Sequence, residues 1–396
     1  MSKSGYESKL NVFLLSLGHF FSDFYHTFLP ALLPVVTVKL GLSLSAAGSL
    51  IMVFFVTSSI SQPVLGYFID KHGWSWLIIW TIPISGLFIC LAGIAPTFSF
   101  LTLCIALAGL SLALFHPLAS ALLSKASRED SKGTTMAWFI GSGNVGVAVA
   151  PAAVFAFMYY AGIEHLLWLA LPGAIAGAAF YLAGLHHIPL SKTADPKITT
   201  PVQWYKSISL LKLNLVMGLR SWPQVAIPNF LTLWLTGQGH SAALAGGMLT
   251  VFLAGGAIGS VLGGFVSDRI GRKLCIIFSL ALTLPALYLF LTASSISLLT
   301  YLLLFLGGAS LQATLPSSIV WAQELLPANA AMASGMMLGL SFGLGGLGAA
   351  LTGVMADFAG LQTALLWSLT PLVLGILITW SIPSRVSRQS AAIKTA

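Results

Sequence analysis

Residues 98–124, FSFLTLCIALAGLSLALFHPLASALLS, run for twenty-seven positions without an aspartate, glutamate, lysine or arginine. About 20 apolar residues are enough for a helix to cross the hydrocarbon core of a bilayer. No water is available there to satisfy backbone N–H and C=O groups, so a chain in that solvent must close its hydrogen bonds within helices or a closed barrel. Runs this long fit helices. Charged residues are 7% of the 396-residue chain and hydrophobic residues 57%, against about 25% charged in ordinary soluble domains. A water-soluble fold of this length could not cover its surface with so few charges. The reading is an all-α polytopic membrane protein.

Cutting at charges, Pro/Gly turns and polar clusters gives twelve segments, near 10–38, 44–69, 75–95, 98–124, 134–161, 164–187, 207–236, 241–267, 273–292, 297–323, 330–357 and 361–382. The first is too long for a signal-peptide core and no small-x-small cleavage site follows it, so it reads as a retained helix. The polar interval 188–206 separates an amino-terminal bundle, 1–187, from a carboxy-terminal bundle, 207–396. Of eighteen lysines and arginines, sixteen fall at the termini or on even-numbered connections, Lys39 falls on the opposite side and Arg220 lies within a helix. This asymmetry predicts that both termini are cytoplasmic. The net charge of +8 then belongs to membrane topology, not to nucleic-acid binding.

The halves repeat. GYFIDKHG (66–73) matches GGFVSDRIG (263–271), with Gly66 over Gly264 and Asp70 over Asp268 at an offset of 198, and the same offset relates Gly162 to Gly360. Two parallel six-helix repeats are the sequence sign of a transporter whose halves rock about a site between them.

Polar groups inside such helices are costly and point to function. His19, Asp23 and His26 are spaced +4 and +3, which puts them on one helical face. The repeat places Asp23 over Ser221, beside Arg220. Asp23 and Arg220 are therefore expected at similar depth, facing one cavity, able to pair when it is empty. Substrate anion would compete for Arg220 and protons for Asp23; the alternative is a structural ion pair. His116, before Pro117, is a further cavity candidate, and Asn144 and Asn229 are weaker ones. Gly143, Gly146 and Pro151 suggest a bend in helix 5 or close packing alone. Asp268, Arg269, Arg272 and Lys273, with Gly264 and Gly271, read as a conformational latch on the cytoplasmic side or as a simple topology signal. Asp70 and Lys71 are its weaker counterpart. Glu164, Glu324 and Asp357 lie near helix ends and read as solvated. Cys90, Cys104 and Cys275 fit no metal-ligand pattern. No hydrolytic triad or phosphate-binding loop is present, so the chain reads as a non-enzyme with no cofactor and no bound metal, driven by a proton gradient.

GGFVSDRIGRK (263–273) resembles the cytoplasmic loop signature of the major facilitator superfamily, and the first half carries a weaker copy. LSLGHFFSDF (15–24), LFHPLASALLS (114–124) and GSGNVGVAVAP (141–151) resemble the fosmidomycin resistance protein group within it. The resemblance implies the twelve-helix major facilitator fold. It also implies proton-coupled export of a small anionic or amphipathic compound across a bacterial inner membrane by a monomer, with lipid, protons and substrate as partners. Leu118 stands after the FHP segment where the resistance protein has a carboxylate, and Ala150-Pro151 stands where exporters show Gly-Pro. These departures keep a proton-coupled uptake symporter for an organic acid or sugar as the alternative.

Overall fold

The computed structural model describes residues 8–127, 132–190, 206–326, 333 and 336–383. Every regular element among them is helical. They form twelve spans, α1 to α12: 9–40, 44–72, 75–93, Phe98–Ala126, Lys132–Ala161, 163–182, Ile208–Gly237, Ala242–Ile270, Arg272–Leu291, Leu298–Leu325, 336–359 and 361–381. Among the described residues, ten helices are long and apolar enough to cross a membrane. Most of the 188–206 linker lies outside the described residues.

Six spans depart from unbroken α-helix: α3 opens with a 3-10 turn at Ser75–Leu77, α12 is interrupted at Ser368 and Leu369, and α1, α2, α6 and α11 depart further. α1 breaks at Thr27, whose hydroxyl donates to the Asp23 carbonyl at 3.0 Å. Pro30 follows and has no N–H for the His26 carbonyl, so the helical ladder cannot run through. Pro34 likewise leaves the Pro30 carbonyl without its helical partner, and the Thr232 hydroxyl of α7 donates to it. α6 opens as a 3-10 segment, Ile163–Ala170, and ends at Leu182, because Gly184 adopts a left-handed φ of 70°. α2 and α11 contain π-helical turns, Val56–Ile60 and Met336–Leu340. Such turns inside helices mark functional segments more often than chance.

Small residues set the packing. In the second half Gly255, Gly259 and Gly263 of α8 press on the backbone at Phe305, Ala309 and Ala313 of α10. The four-residue step is repeated on both helices, so the two backbones touch over three turns. Between the halves, Gly48 of α2 lies against Ala349 and Ala350 of α11, Gly353 against Leu44, and Gly346 against Phe55. Without a hydrophobic driving force between lipid-embedded helices, such close backbone approach is a main source of cohesion.

Contacts between the halves close one end of the bundle, the end that carries Lys39. There the Thr232 hydroxyl meets Pro30, and Gly246 of α8 lies under Phe155 of α5. Asp357, at the end of α11, accepts from the backbone N–H groups of Leu44 at 2.8 Å and Ser45 at 2.9 Å, and from the Ser45 hydroxyl. A carboxylate on the exposed N–H groups of a helix start is a favourable placement. Sequence reasoning leaves Asp357 solvated; the fold turns it into a clasp between α2 and α11.

Candidate functional site

Asp23 sits one turn before the break in α1. Its Oδ2 lies 3.4 Å from His19 Nε2, and its Oδ1 lies 3.6 Å from His116 Nε2 on α4. His19 stacks on Phe139 of α5, with ring centroids 4.1 Å apart, and its Nδ1 is 2.7 Å from the Phe139 carbonyl. A carbonyl only accepts, so Nδ1 carries the hydrogen and Nε2 faces the carboxylate. Gly143 of α5 forms the wall of this cluster. A Cβ there would stand 2.5 Å from Asp23 Oδ2 and within 2.9 Å of the His19 ring. Gly146, one turn on, packs on the Phe20 carbonyl. These glycines give close approach between α1 and α5, and Pro151 lies inside the same continuous helix.

The expected stripe of three polar residues divides. His19 and Asp23 stay together, but His26 packs against the rings of Phe54 and Phe55 in α2, at 5.0 and 5.5 Å. His116 takes its place, brought in from a segment ninety-three residues away.

The expected partnership of Asp23 with Arg220 is not formed. Arg220 is buried in α7 and donates from Nε and Nη2 to the Leu311 carbonyl of α10, at 3.0 and 2.7 Å. Nη2 also donates to Gln312 Oε1 at 2.8 Å, while Nη1 has no hydrogen-bond partner. The offset places the two residues on equivalent helices, but rotation about each helix axis decides the partner. Asp23 turns inward on its own half toward α4 and α5, and Arg220 turns toward α10.

A cavity of about 110 Å³ lies between the halves, lined by Asn144 and Val147 of α5, Gln224 of α7, Gly256 and Ser260 of α8, and Gln312 of α10. Gln312 thus links the cavity to Arg220. The buried Gln224 Oε1, one turn beyond Arg220, is also without a hydrogen-bond partner. Asn229, by contrast, donates to Val225 in its own helix at 2.8 Å. The value of Gln224 and Gln312 comes from a convergence of four helices, α5, α7, α8 and α10, that periodicity does not show.

At the opposite end, Arg272 bonds Asp268 and lies 3.5 Å from Glu324. Lys273 donates to the carbonyls of Trp380 and Ile382 at 2.6 and 2.7 Å, a cation on the last turn of α12. Gly271 holds the turn with a φ of 89°; Arg269 and Gly264 stay outside these bonds. Among the described residues these bonds of Arg272 and Lys273 lie within the second half. The side chains of Asp70 and Lys71 lie outside the described residues. The cluster lies at the end opposite the Lys39 end, where the halves meet.

The family model for the Major Facilitator Superfamily matches residues 15–238 and 215–395. The chain is 30% identical over 359 residues to the fosmidomycin resistance protein of Escherichia coli (strain K12), covering 88% of this chain and 86% of that protein. It is 29% identical over 373 residues to the MFS-type transporter YfnC of Bacillus subtilis (strain 168), covering 92% and 90%. Among solved structures, a point mutant of the nucleoside transporter NupG superposes with a TM-score of 0.80 at 18% identity, over 94% of this chain and all of that one. Twelve helices, a polar cavity between two bundles and a match along the chain to one family model lead to one conclusion: this protein belongs to the major facilitator superfamily, and is a membrane transporter rather than an enzyme.

Proposed function

We propose that the protein exports a small anionic or amphipathic organic compound across a bacterial inner membrane in exchange for protons, by alternating access. The observation that carries this reading is Arg220. It is buried, it has one guanidinium nitrogen without a partner, and among the described residues no acidic side chain pairs with it. An arginine inside a membrane-spanning helix costs about 2.5–3.5 kcal/mol on insertion scales. An anion reaching the cavity beside Gln312 would supply the missing charge and the missing acceptor. The cavity is smaller than the roughly 300 Å³ at which drug-sized sites begin, so it must widen to take a whole molecule. The state described here is closed at the Lys39 end; by the distribution of lysine and arginine that end is periplasmic.

Asp23 supplies the proton site. Among the acidic residues that the structure describes, it alone lies in the middle of a span. A carboxylate between two imidazoles can share, hold and pass a proton as the cluster opens to either side. The similarity to a fosmidomycin resistance protein supports export over uptake. The test is accumulation of labelled fosmidomycin, and of a panel of organic anions, in a drug-sensitive host. Export predicts lower accumulation on expression, restored by a proton uncoupler. Higher accumulation that the uncoupler abolishes would establish the uptake symporter instead.

A further inference from the structure

We propose that His19, Asp23 and His116 form a binding site for one divalent transition-metal ion of the zinc and cobalt type. The ligand atoms of the three side chains lie within 4.8 Å of one another. Ligands about 2.0–2.1 Å from a tetrahedral ion stand about 3.3–3.4 Å apart. His19 Nε2 stands 3.4 Å from Asp23 Oδ2 and His116 Nε2 stands 3.6 Å from Asp23 Oδ1, so each imidazole meets one carboxylate oxygen near this spacing, and a small turn of the carboxylate brings one oxygen to both.

The orientation of His19 is the second observation. Its Nδ1–H is spent on the Phe139 carbonyl, so in the neutral ring the Nε2 lone pair faces a carboxylate oxygen. Two acceptors that close repel unless a proton or a cation lies between them. A backbone carbonyl on the far nitrogen is also the outer contact that holds metal-binding imidazoles in place. Gly143 keeps the space clear, since any Cβ there would collide with Asp23 and His19. The side chains of His19, Asp23 and His116 keep 10, 15 and 27% exposure, which leaves a fourth position for water or a ligand oxygen. Two imidazoles and one carboxylate select zinc or cobalt over magnesium or calcium, which take oxygen ligands.

The proposal does not rest on the direction or the substrate of transport. It shares Asp23 with the proton site, and a metal bound there excludes the proton. Zinc is therefore expected to inhibit a proton-coupled cycle.

The test uses the purified full chain in detergent micelles, with no gradient and no organic compound. Calorimetric titration with Zn²⁺ is expected to show one ion per chain, and Co²⁺ to give the visible absorption of a four-coordinate ion. Asp23→Asn and His116→Ala are each expected to weaken Zn²⁺ binding at least tenfold, with elution and melting behaviour unchanged. Gly143→Ala is expected to weaken it too. The competing imidazole pair is His186 and His187, whose rings lie 3.9 Å apart; His187→Ala is expected to leave binding unchanged. No stoichiometric binding by the wild type would overturn the proposal. So would binding that survives both ligand variants, or that is lost with His187→Ala. Absence of zinc binding alongside intact proton-coupled export would overturn this site alone, whereas zinc binding without export would overturn only the transport reading.

Discussion

Asp23 and Arg220 show how a membrane interior treats charge. Each is buried or nearly so, and each has found partners on its own half of the molecule. Asp23 has two imidazoles, and Arg220 has a carbonyl and an amide. Their roles are separable by substitution. Asp23→Asn is expected to abolish coupled transport while the protein still inserts and folds, because asparagine keeps the size of the side chain and loses the exchangeable proton; transport driven normally by a proton gradient in that variant would remove Asp23 from the mechanism. Arg220→Lys is expected to reduce transport at least tenfold. Lysine lacks the planar fork that bonds the Leu311 carbonyl and Gln312 together, and hydrogen bonds of a charged donor are worth about 1.5–3 kcal/mol each. Unchanged uptake or export kinetics in membrane vesicles would place the substrate elsewhere. The importance of Asp23 and Arg220 is legible in the sequence, since charges are rare in spans. Their partners are not. The 198-residue offset fixes the helix and the depth of each residue, but not the rotation that aims Asp23 at His116 and Arg220 at Leu311. His26 shares a helical face with Asp23 by spacing alone, yet Phe54 and Phe55 claim its ring.

In the proposed cycle the helices carry the conformational change, and their contacts mark where this state is held. α2 and α11 meet along a line of small residues from Leu44 to Ile60, with π-helical turns at its far end. Asp357 pins the near end through three hydrogen bonds to Leu44 and Ser45. Asp357→Ala is expected to shift the population toward a state open at the Lys39 end. Spin-label distances between α2 and α11 would report it as a longer component absent from the wild type; an unchanged distance distribution would exclude the clasp. Within the second half, Gly259→Leu would drive a side chain into the backbone at Ala309. Overpacking of this kind costs about 1–3 kcal/mol, and a lower melting temperature in detergent would measure it. Twelve spans are legible from hydropathy because lipid enforces their length. The clasp at Asp357 is not, because it depends on the free N–H groups that α2 offers at Leu44 and Ser45.

As a whole the molecule is two bundles pressed together at one end around a small polar cavity. The end opposite holds a cluster of Asp268, Arg272 and Glu324, joined within the second half. The closed end brings the halves into contact through Pro30, Gly48 and Asp357. In the alternating-access cycle proposed above, this is one pose, and a latch at the opposite end would close in the other. The central claim is that movement of an organic compound one way is tied to proton movement the other way through Asp23. Its most direct measurement is proton flux in proteoliposomes loaded with a pH-sensitive dye, under an imposed gradient of fosmidomycin or of an organic anion found to be exported. The account predicts protons moving against the direction of the compound in the wild type, and no substrate-driven proton movement in Asp23→Asn. Protons moving in the same direction as the compound, or undiminished flux in the variant, would contradict it.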